Sequence, residues 1–423
     1  MAARREALKI AARAIEHRLN QDHSDHAGPV VACSCGTEAR YAGRHAKTIK
    51  TALGEITLRR AYYHCASCES GWFPRDGTLG IADSSISPAV TRMIGLAGAM
   101  VSFKESSELL GELAGVSVDA KQIERTAESL GREIEAHERM VLVPPAASAP
   151  TMYLGLDGTG IPMRRSELEG RRGKQSDGSS KTREVKLVAI WTAEARDDEG
   201  HAVRDPGSVS YSAAIESAAS SDSSVQLSAF AQRVDREAKR RGLDQAPRRV
   251  AIADGSLWIW NIVEEQFPGA IQILDLYHAK GHLSDVAKEI YGASSDLARQ
   301  WTAQRNDELD EGETGKLLDA LAAHKDTNES ARKCFDYVTN NRDRMNYPDF
   351  RAKGLSVGSG VVEAGCKVVV GTRLKRSGMH WSVAGANAII SLRCCKLSGR
   401  FEDFWEARSA AFSLTRPSST QTI

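Results

Sequence analysis

The sequence has no long hydrophobic run and no excess of charge of either sign. The longest apolar stretch near its start is MIGLAGAMV at 93–101, well short of the roughly 18 residues that cross a bilayer. Its 423 residues carry 56 basic and 55 acidic side chains, a formal charge of +1. Bulk charge therefore gives no argument for a nucleic-acid partner, and any surface for one has to be local. The opening MAARREALKIAARAIEHRL resembles a transit peptide only superficially. Its acidic residue and helical periodicity predict an ordinary amphipathic helix within 1–27 and a cytoplasmic protein. What remains is ordinary globular composition, 41% hydrophobic and 26% charged, over a length that suits roughly three domains.

Three acidic residues stand out against that background. Asp157 in LGLDGTGIPM and Asp254 in RRVAIADGSLWIW each follow an apolar β-type run, and Glu363 lies in GSGVVEAGCK. A carboxylate at the end of a buried strand, followed at once by glycine, is where an α/β sheet presents charge to a ligand or metal. Any one Asp-Gly pair alone reads more readily as a simple turn; three acids in this order suggest phosphoryl transfer with divalent metal. Such chemistry uses two cations about 3.5–4 Å apart, and Mg²⁺ accepts two or three carboxylates beside its waters. In DLYHAKGHL, Asp275, His278 and His282 form a D-x-x-H element one turn ahead of a second histidine. An imidazole there could contact a phosphate or orient a carboxylate; a helix N-cap with partly buried histidines explains the same letters.

Four of the eight cysteines have ligand spacing. Cys33-x-Cys35 and Cys65-x-x-Cys68 flank a β-rich stretch, the pattern of a zinc ribbon in which two knuckles donate four thiolates to one Zn²⁺. His64 could replace one ligand, and free or oxidised thiols in a loop are the alternative. Cys334, Cys366, Cys394 and Cys395 sit in apolar or helical patterns and read as small buried hydrophobes.

The chain is then expected to run as an N-terminal helix (1–27), a zinc-ribbon-like module (28–80) and a helical region (84–143). An extended linker, PPAASAP, follows at 144–150. The helical region breaks near Gly115–Val118 and resumes after Ser117 or Asp119, the plan of a helix-turn-helix whose Lys121, Gln122 and Arg125 would face a DNA groove. A plain helical hairpin predicts the same pattern. From 151 to 292 a β-hairpin precedes β-α-β-α, the order of a ribonuclease-H-like α/β core with a mixed sheet. Residues 293–345 read as an all-helical insertion, 346–408 as the end of the core with the Glu363 helix, and 409–423 as a flexible tail. In a ribonuclease-H-like sheet the first strand is central and the strand carrying the second aspartate lies beside it, so Asp157 and Asp254 would meet.

The blocks LGLDGTGIPM, KTREVKLVAIWT, ADGSLWIWNIVEEQFPGAIQILDLYHAKGHL, VGSGVVEAGCKVVVGTRLKRSGMHWSVAGANAIISLRCC and SGRFEDFWE closely resemble ISKra-type bacterial insertion-sequence transposases, members of the DDE superfamily with Mutator-like relatives. The resemblance implies a metal-dependent transposase that cleaves DNA and transfers strands, using two Mg²⁺ or Mn²⁺ ions. Its acidic triad falls on Asp157, Asp254 and Glu363, and its D-x-x-H element on Asp275 and His278. Double-stranded DNA, as element ends and target, is the implied partner, with a homodimer or larger assembly at the bacterial nucleoid. Arg164, Arg165, Arg171, Arg172 and Lys174, with Arg373, Lys375 and Arg376, are candidate phosphate contacts, solvated surface charge being the alternative. Trp381 could stack on an unpaired base or sit in the core. A structure-specific nuclease or resolvase, or a non-catalytic DNA-binding descendant, would share much of this sequence.

Overall fold

Alternation along GEITLRRAYYH sends Ile56 and Leu58 to one face of a strand and Ala61 and Tyr63 to the other, and both faces are covered. In the computed structural model, which describes residues 2–82, 84–140, 148–171, 173, 175, 180–219 and 227–414, this strand is β3 (Gly54–His64). It belongs to an antiparallel sheet ordered β1 (Val30–Ala32), β2 (Glu38–Thr51), β3 and β4 (Gly71–Trp72). The chain divides into two units, 1–137 with 399–423, and 138–398.

In the first unit, helix α1 (Ala2–Gln21) covers one edge of β3 with polar side chains. Glu16 accepts from the Thr57 N–H at 2.6 Å, and Asn20 accepts from the Arg59 N–H at 2.7 Å while donating to the Thr57 carbonyl at 2.8 Å. An edge that would otherwise invite another strand is thereby satisfied. After the short α2 (Pro74–Thr78) come α3 (Pro88–Met100), α4 (Phe103–Leu109) and α5 (Ala120–Met140). The expected break is present: a π-type turn at Leu110–Ala114 ends on Gly115 at φ +71°, and Asp119 accepts from the Gln122 N–H at 2.9 Å to open α5.

The second unit is built on a five-stranded mixed sheet ordered β11 (Ile271–Leu274), β10 (Arg248–Ala253), β5 (Thr151–Pro162), β6 (Thr182–Trp191), β9 (Ser210–Ala214). β5 to β6 and β6 to β9 are antiparallel, whereas β5 to β10 and β10 to β11 are parallel. The first strand of the unit is thus central, because the hairpin strands add on one side and the helix-linked strands on the other. Between β6 and β9 lies a small hairpin, β7 (Ala195–Arg196) and β8 (Ala202–Val203). Helices α6 (Ala229–Arg241), α7 (Leu257–Gln266) and α8 (Leu276–Tyr291) alternate with the later strands.

The segment expected to be inserted is helical, with α9 (Asp296–Asp310), α10 (Thr314–Ala322) and α11 (Glu329–Asn341) and no strand among its described residues. After α12 (Tyr347–Ala352) the chain forms α13 (Gly360–Gly365), a π-type stretch at Cys366–Gly371, α14 (Thr372–Leu374) and α15 (Val383–Leu397).

Two expected boundaries move. The helix Phe401–Leu414 was expected to close the α/β unit and to give way to a loose tail from 409. It instead belongs to the first unit: Glu402 pairs with Arg92 at 2.6 Å, Arg408 with Glu133 at 2.7 Å, and Phe404 lies edge-on to His137. Its aromatic residues find their cover there, which composition alone does not reveal. Most of the PPAASAP linker, at 144–147, and the end of the chain at 415–423 lie outside the described residues.

Candidate functional site

Asp157 lies within β5, five residues before its end, and not at the strand terminus that the Asp-Gly pair suggested. The strand continues because β6 pairs with it as far as Pro162, and the Glu184 carboxylate lies over Gly158, 2.5 Å from where a Cβ would stand. On the other flank β10 stops at Ala253. Its last pairing, Ile252 with Gly155, carried two residues on in parallel register brings Asp254 level with Asp157 (252 + 2 and 155 + 2). Asp254 is held by the Ser256 N–H at 2.9 Å and Asp157 by the Gly158 N–H at 2.6 Å.

Glu363 arrives from α13, which packs across β5 and β6. A Cβ on Gly155 would lie 2.9 Å from Val362, and one on Gly365 would lie 2.8 Å from Tyr211, so both glycines permit close approach. The helix is also tied at its start. Asp275, fully buried, accepts from the Ser359 N–H, and the Ser359 hydroxyl lies 3.2 Å from Glu363 Oε1. Arg393, buried beneath the π-type stretch, donates to the carbonyls of Val368 and Val369 and to the Thr372 hydroxyl. Carbonyls that a regular α-helix would satisfy are thus met by a guanidinium; burial lowers its pKa to about 10.

Asp157 feels both of the other acids. Burial, with the like charges of Asp254 and Glu363, raises the pKa of Asp157. Opposing that rise are the Gly158 N–H and the thiol of Cys366, a residue whose pattern suggested only packing. A cavity of about 500 Å³ opens here, lined by Asp157, Thr159, Glu363, Cys366, Lys367 and Lys375, with the Lys375 ammonium on the Thr159 hydroxyl. Hard carboxylate oxygens beside lysines fit a divalent cation and the phosphate it would hold. Among the described residues only the four cysteines bring three or more ligand atoms within 4.8 Å of one another. Asp157 and Glu363 line this one cavity, and each of the three carboxylates has its own hydrogen-bond partner, the Gly158 N–H, the Ser256 N–H and the Ser359 hydroxyl.

The D-x-x-H element is a helix cap. Asp275 accepts from the main-chain N–H of His278 at 2.5 Å and not from its imidazole. The exposed His278 lies edge-on to His282 at 4.8 Å, and His282 packs on Tyr337 at 4.6 Å; burial lowers the pKa of His282. Tyr337, from α11 of the helical segment, donates to the Asp254 carbonyl at 2.9 Å, and its ring would be 2.6 Å from a Cβ on Gly255, which adopts φ +94°. Nothing in its sequence neighbourhood marked it. Gly255→Ala is expected to destabilise the fold by roughly 1–3 kcal/mol and to displace Asp254, read as an earlier urea midpoint together with weaker divalent-metal binding by calorimetry.

Other candidates scatter. Trp381 and Arg373 are core residues: the indole N–H donates to the Leu374 carbonyl at 3.0 Å and the guanidinium lies 5.3 Å above the ring. The hydrogen bonds between Trp381 and the end of β5 explain this burial, which excludes base stacking or phosphate contact by this pair. Arg164, Arg165, Arg171, Lys375 and Arg376 are exposed, while Arg172 and Lys174 lie outside the described residues. In the first unit Lys121 pairs with Glu124 at 2.8 Å, and Gln122 and Arg125 line a separate cavity of 680 Å³.

That unit also holds the cysteine cluster. Sγ separations of 3.6 Å for Cys33 with Cys68 and Cys35 with Cys65 match the sulfur–sulfur edge of about 3.8 Å in a tetrahedron with Zn–S bonds of about 2.3 Å. The Thr37 hydroxyl, 3.1 Å from both Cys35 and Cys65, holds Cys65 down to about 5 and Cys35 below the usual thiol range, favouring the thiolate that binds metal. Glu69, beside Cys68, is the one non-glycine with positive φ (54°) among the described residues. The four cysteines could therefore hold a metal such as zinc; His64 is exposed and lies outside the group.

Fold and geometry together give an α/β protein with a mixed sheet, a cavity lined by Asp157 and Glu363, and a separate four-cysteine cluster. The chain belongs to the uncharacterised protein family UPF0236, whose profile matches residues 38–407. No curated protein matches it. No helix among the described residues is long and apolar enough to cross a membrane.

Proposed function

We propose that this protein is a DNA transposase of the DDE class, related to the ISKra-type enzymes, that cleaves and joins strands of an insertion sequence. One observation carries the reading: the parallel register of β5 and β10, carried one residue past the end of β10, brings Asp254 level with Asp157, and the Glu363 helix packs across β5 and β6. The central position of the first strand supports a ribonuclease-H-like core, and the four-cysteine hairpin supports a zinc ribbon. Two Mg²⁺ or Mn²⁺ ions held by the three carboxylates would activate the attacking oxygen and stabilise the leaving one. Around them the chain's own groups have defined work. Lys367 and Lys375 present positive charge to a phosphate, Cys366 steadies Asp157, and Asp275 fixes the start of the Glu363 helix. Exposed His278 is available to the phosphate or to a proton. Arg164, Arg165, Arg171 and Arg376 would position the DNA backbone, and the first unit, with Lys121, Gln122 and Arg125, would recognise element ends, two copies being needed to join two ends.

A structure-specific nuclease would use the same carboxylates, and joining separates the two. With Mg²⁺ and a duplex copied from the DNA flanking the coding region, pre-cut to expose a 3′-hydroxyl, the full-length protein is expected to produce covalent joints to a target plasmid. Cutting without joining would leave a nuclease; binding without either reaction would leave a non-catalytic DNA-binding protein.

A further inference from the structure

Glu363 lines two cavities. One contains Asp157 and the lysines; the other, of about 460 Å³, lies between the β7–β8 hairpin, the first turn of α8 and the segment leading into α13. Its size falls among sites that take one small molecule, roughly 300–1,000 Å³. Among the described residues Tyr277 is the only aromatic ring counted with the exposed large hydrophobic side chains, at 69% exposure, and it lines this second cavity together with Val203, another exposed apolar side chain.

The ring is placed by its surroundings. A Cβ on Gly358 would come within 2.9 Å of it, so glycine is what lets the main chain lie against the tyrosine. That main chain is fixed: Leu276 N–H donates to the Val357 carbonyl at 3.0 Å, Ser359 N–H to the buried Asp275, and Ser356 N–H to the Tyr153 hydroxyl at 3.2 Å. The cavity has no cationic excess. Arg204 and Arg351 face Asp197, Asp275 and Glu363, and Arg351 is already held by Asp310 at 2.8 Å. A backbone phosphate is poorly served there, whereas a neutral aromatic ring gains a stacking partner and apolar contact.

We infer that this cavity is a nucleobase subsite, in which one unpaired nucleotide adjoining the scissile phosphate stacks on Tyr277. The inference rests on the DNA-cleaving reading and deepens it: Glu363 stands between backbone chemistry on one side and a held base on the other. Stacking on an exposed ring tolerates any base, so the subsite fixes strand position without reading sequence.

The test uses the full-length protein and the flanking-DNA duplex, pre-cut, with 5-iododeoxyuridine as an unpaired nucleotide at the cut. After irradiation, the cross-linked peptide is expected to contain Tyr277. Tyr277→Phe should keep the cross-link and Tyr277→Ala should lose it. Tyr277→Ala should also cleave intact duplex roughly 10- to 100-fold more slowly while melting like the parent, and regain rate when that nucleotide is mismatched. A cross-link elsewhere, or parental cleavage by Tyr277→Ala, overturns the subsite. If the parent cuts and joins DNA in that case, the transposase reading stands alone; if the parent cuts no DNA, that reading falls and takes the subsite with it.

Discussion

Asp157→Asn is expected to abolish metal-dependent DNA cleavage by at least about 10³-fold, roughly 4 kcal/mol of transition-state stabilisation, while making the folded protein more stable at neutral pH. The two effects have one cause. Asp157 is raised by burial and by the charges of Asp254 and Glu363, so its ionised form is disfavoured in the fold. The sign follows: above the unfolded value of about 3.9 the ionised carboxylate opposes folding, and that cost is relieved as pH falls through the raised folded value. Asparagine keeps an oxygen for the Gly158 N–H at 2.6 Å and removes the charge. Thermal melts should therefore show a higher midpoint for the variant at pH 7, with the difference shrinking in acid, while cleavage on a labelled duplex disappears and DNA binding persists. A variant that still cleaves removes Asp157 from the centre. One that loses cleavage with a lower midpoint shows that its carboxylate is structural.

How much of this was readable beforehand depends on whether the cause of each feature is local. The strands of the mixed sheet are buried runs of branched and apolar residues, and such runs announce themselves. The spacing of Cys33, Cys35, Cys65 and Cys68 is a local signal too, because each knuckle closes within a few residues. Asp157 was legible as a charged residue after an apolar run, but its place within β5 was not, since the strand is prolonged by β6, a partner beyond a long loop. Asp275 shows the limit of motif reading: the letters D-x-x-H left open an acid and imidazole working together or a helix N-cap, and the geometry gives the cap, which also fastens Ser359, 84 residues away. Of the two readings open for Trp381 the structure gives the core one, while Tyr277, to which no role was given, is exposed. Each is an aromatic near a carboxylate motif, and only tertiary packing decides which is buried. Cys366 and Tyr337 touch the aspartates through contacts that no periodicity encodes.

Loss of zinc is expected to have the other large effect. Protein prepared without chelators should carry one zinc per chain, and Cys65→Ser should carry none. The reason lies in how little else holds that end of the hairpin. The buried group around the cysteines consists of Cys33, Ala39, Ala61, Tyr63 and Cys65, with Val31, Tyr41 and Trp72 only partly buried against it, and two of its five buried members are themselves candidate ligands. The other group, with Ile49, Ile56 and Leu58 against Ala12 and Leu19 of α1, lies on a separate stretch of β2 and β3 and does not depend on the metal. Structural zinc contributes about 10–16 kcal/mol of apparent binding energy in small finger peptides, comparable with the whole stability of a domain, about 5–15 kcal/mol. Removing it should therefore unfold the knuckles outright. Alkylation followed by mass spectrometry should find the three remaining cysteines of the cluster reactive in Cys65→Ser, and all four reactive in chelator-treated parent. Cys334, Cys366, Cys394 and Cys395, all buried in the second unit, should stay protected. The thermal transition of that unit should hardly move. Zinc retained by Cys65→Ser would remove Cys65 from the ligand set, and cysteines equally protected with and without chelator would mean that the hydrogen bonds of Thr37 and Ser70 alone hold the thiols together.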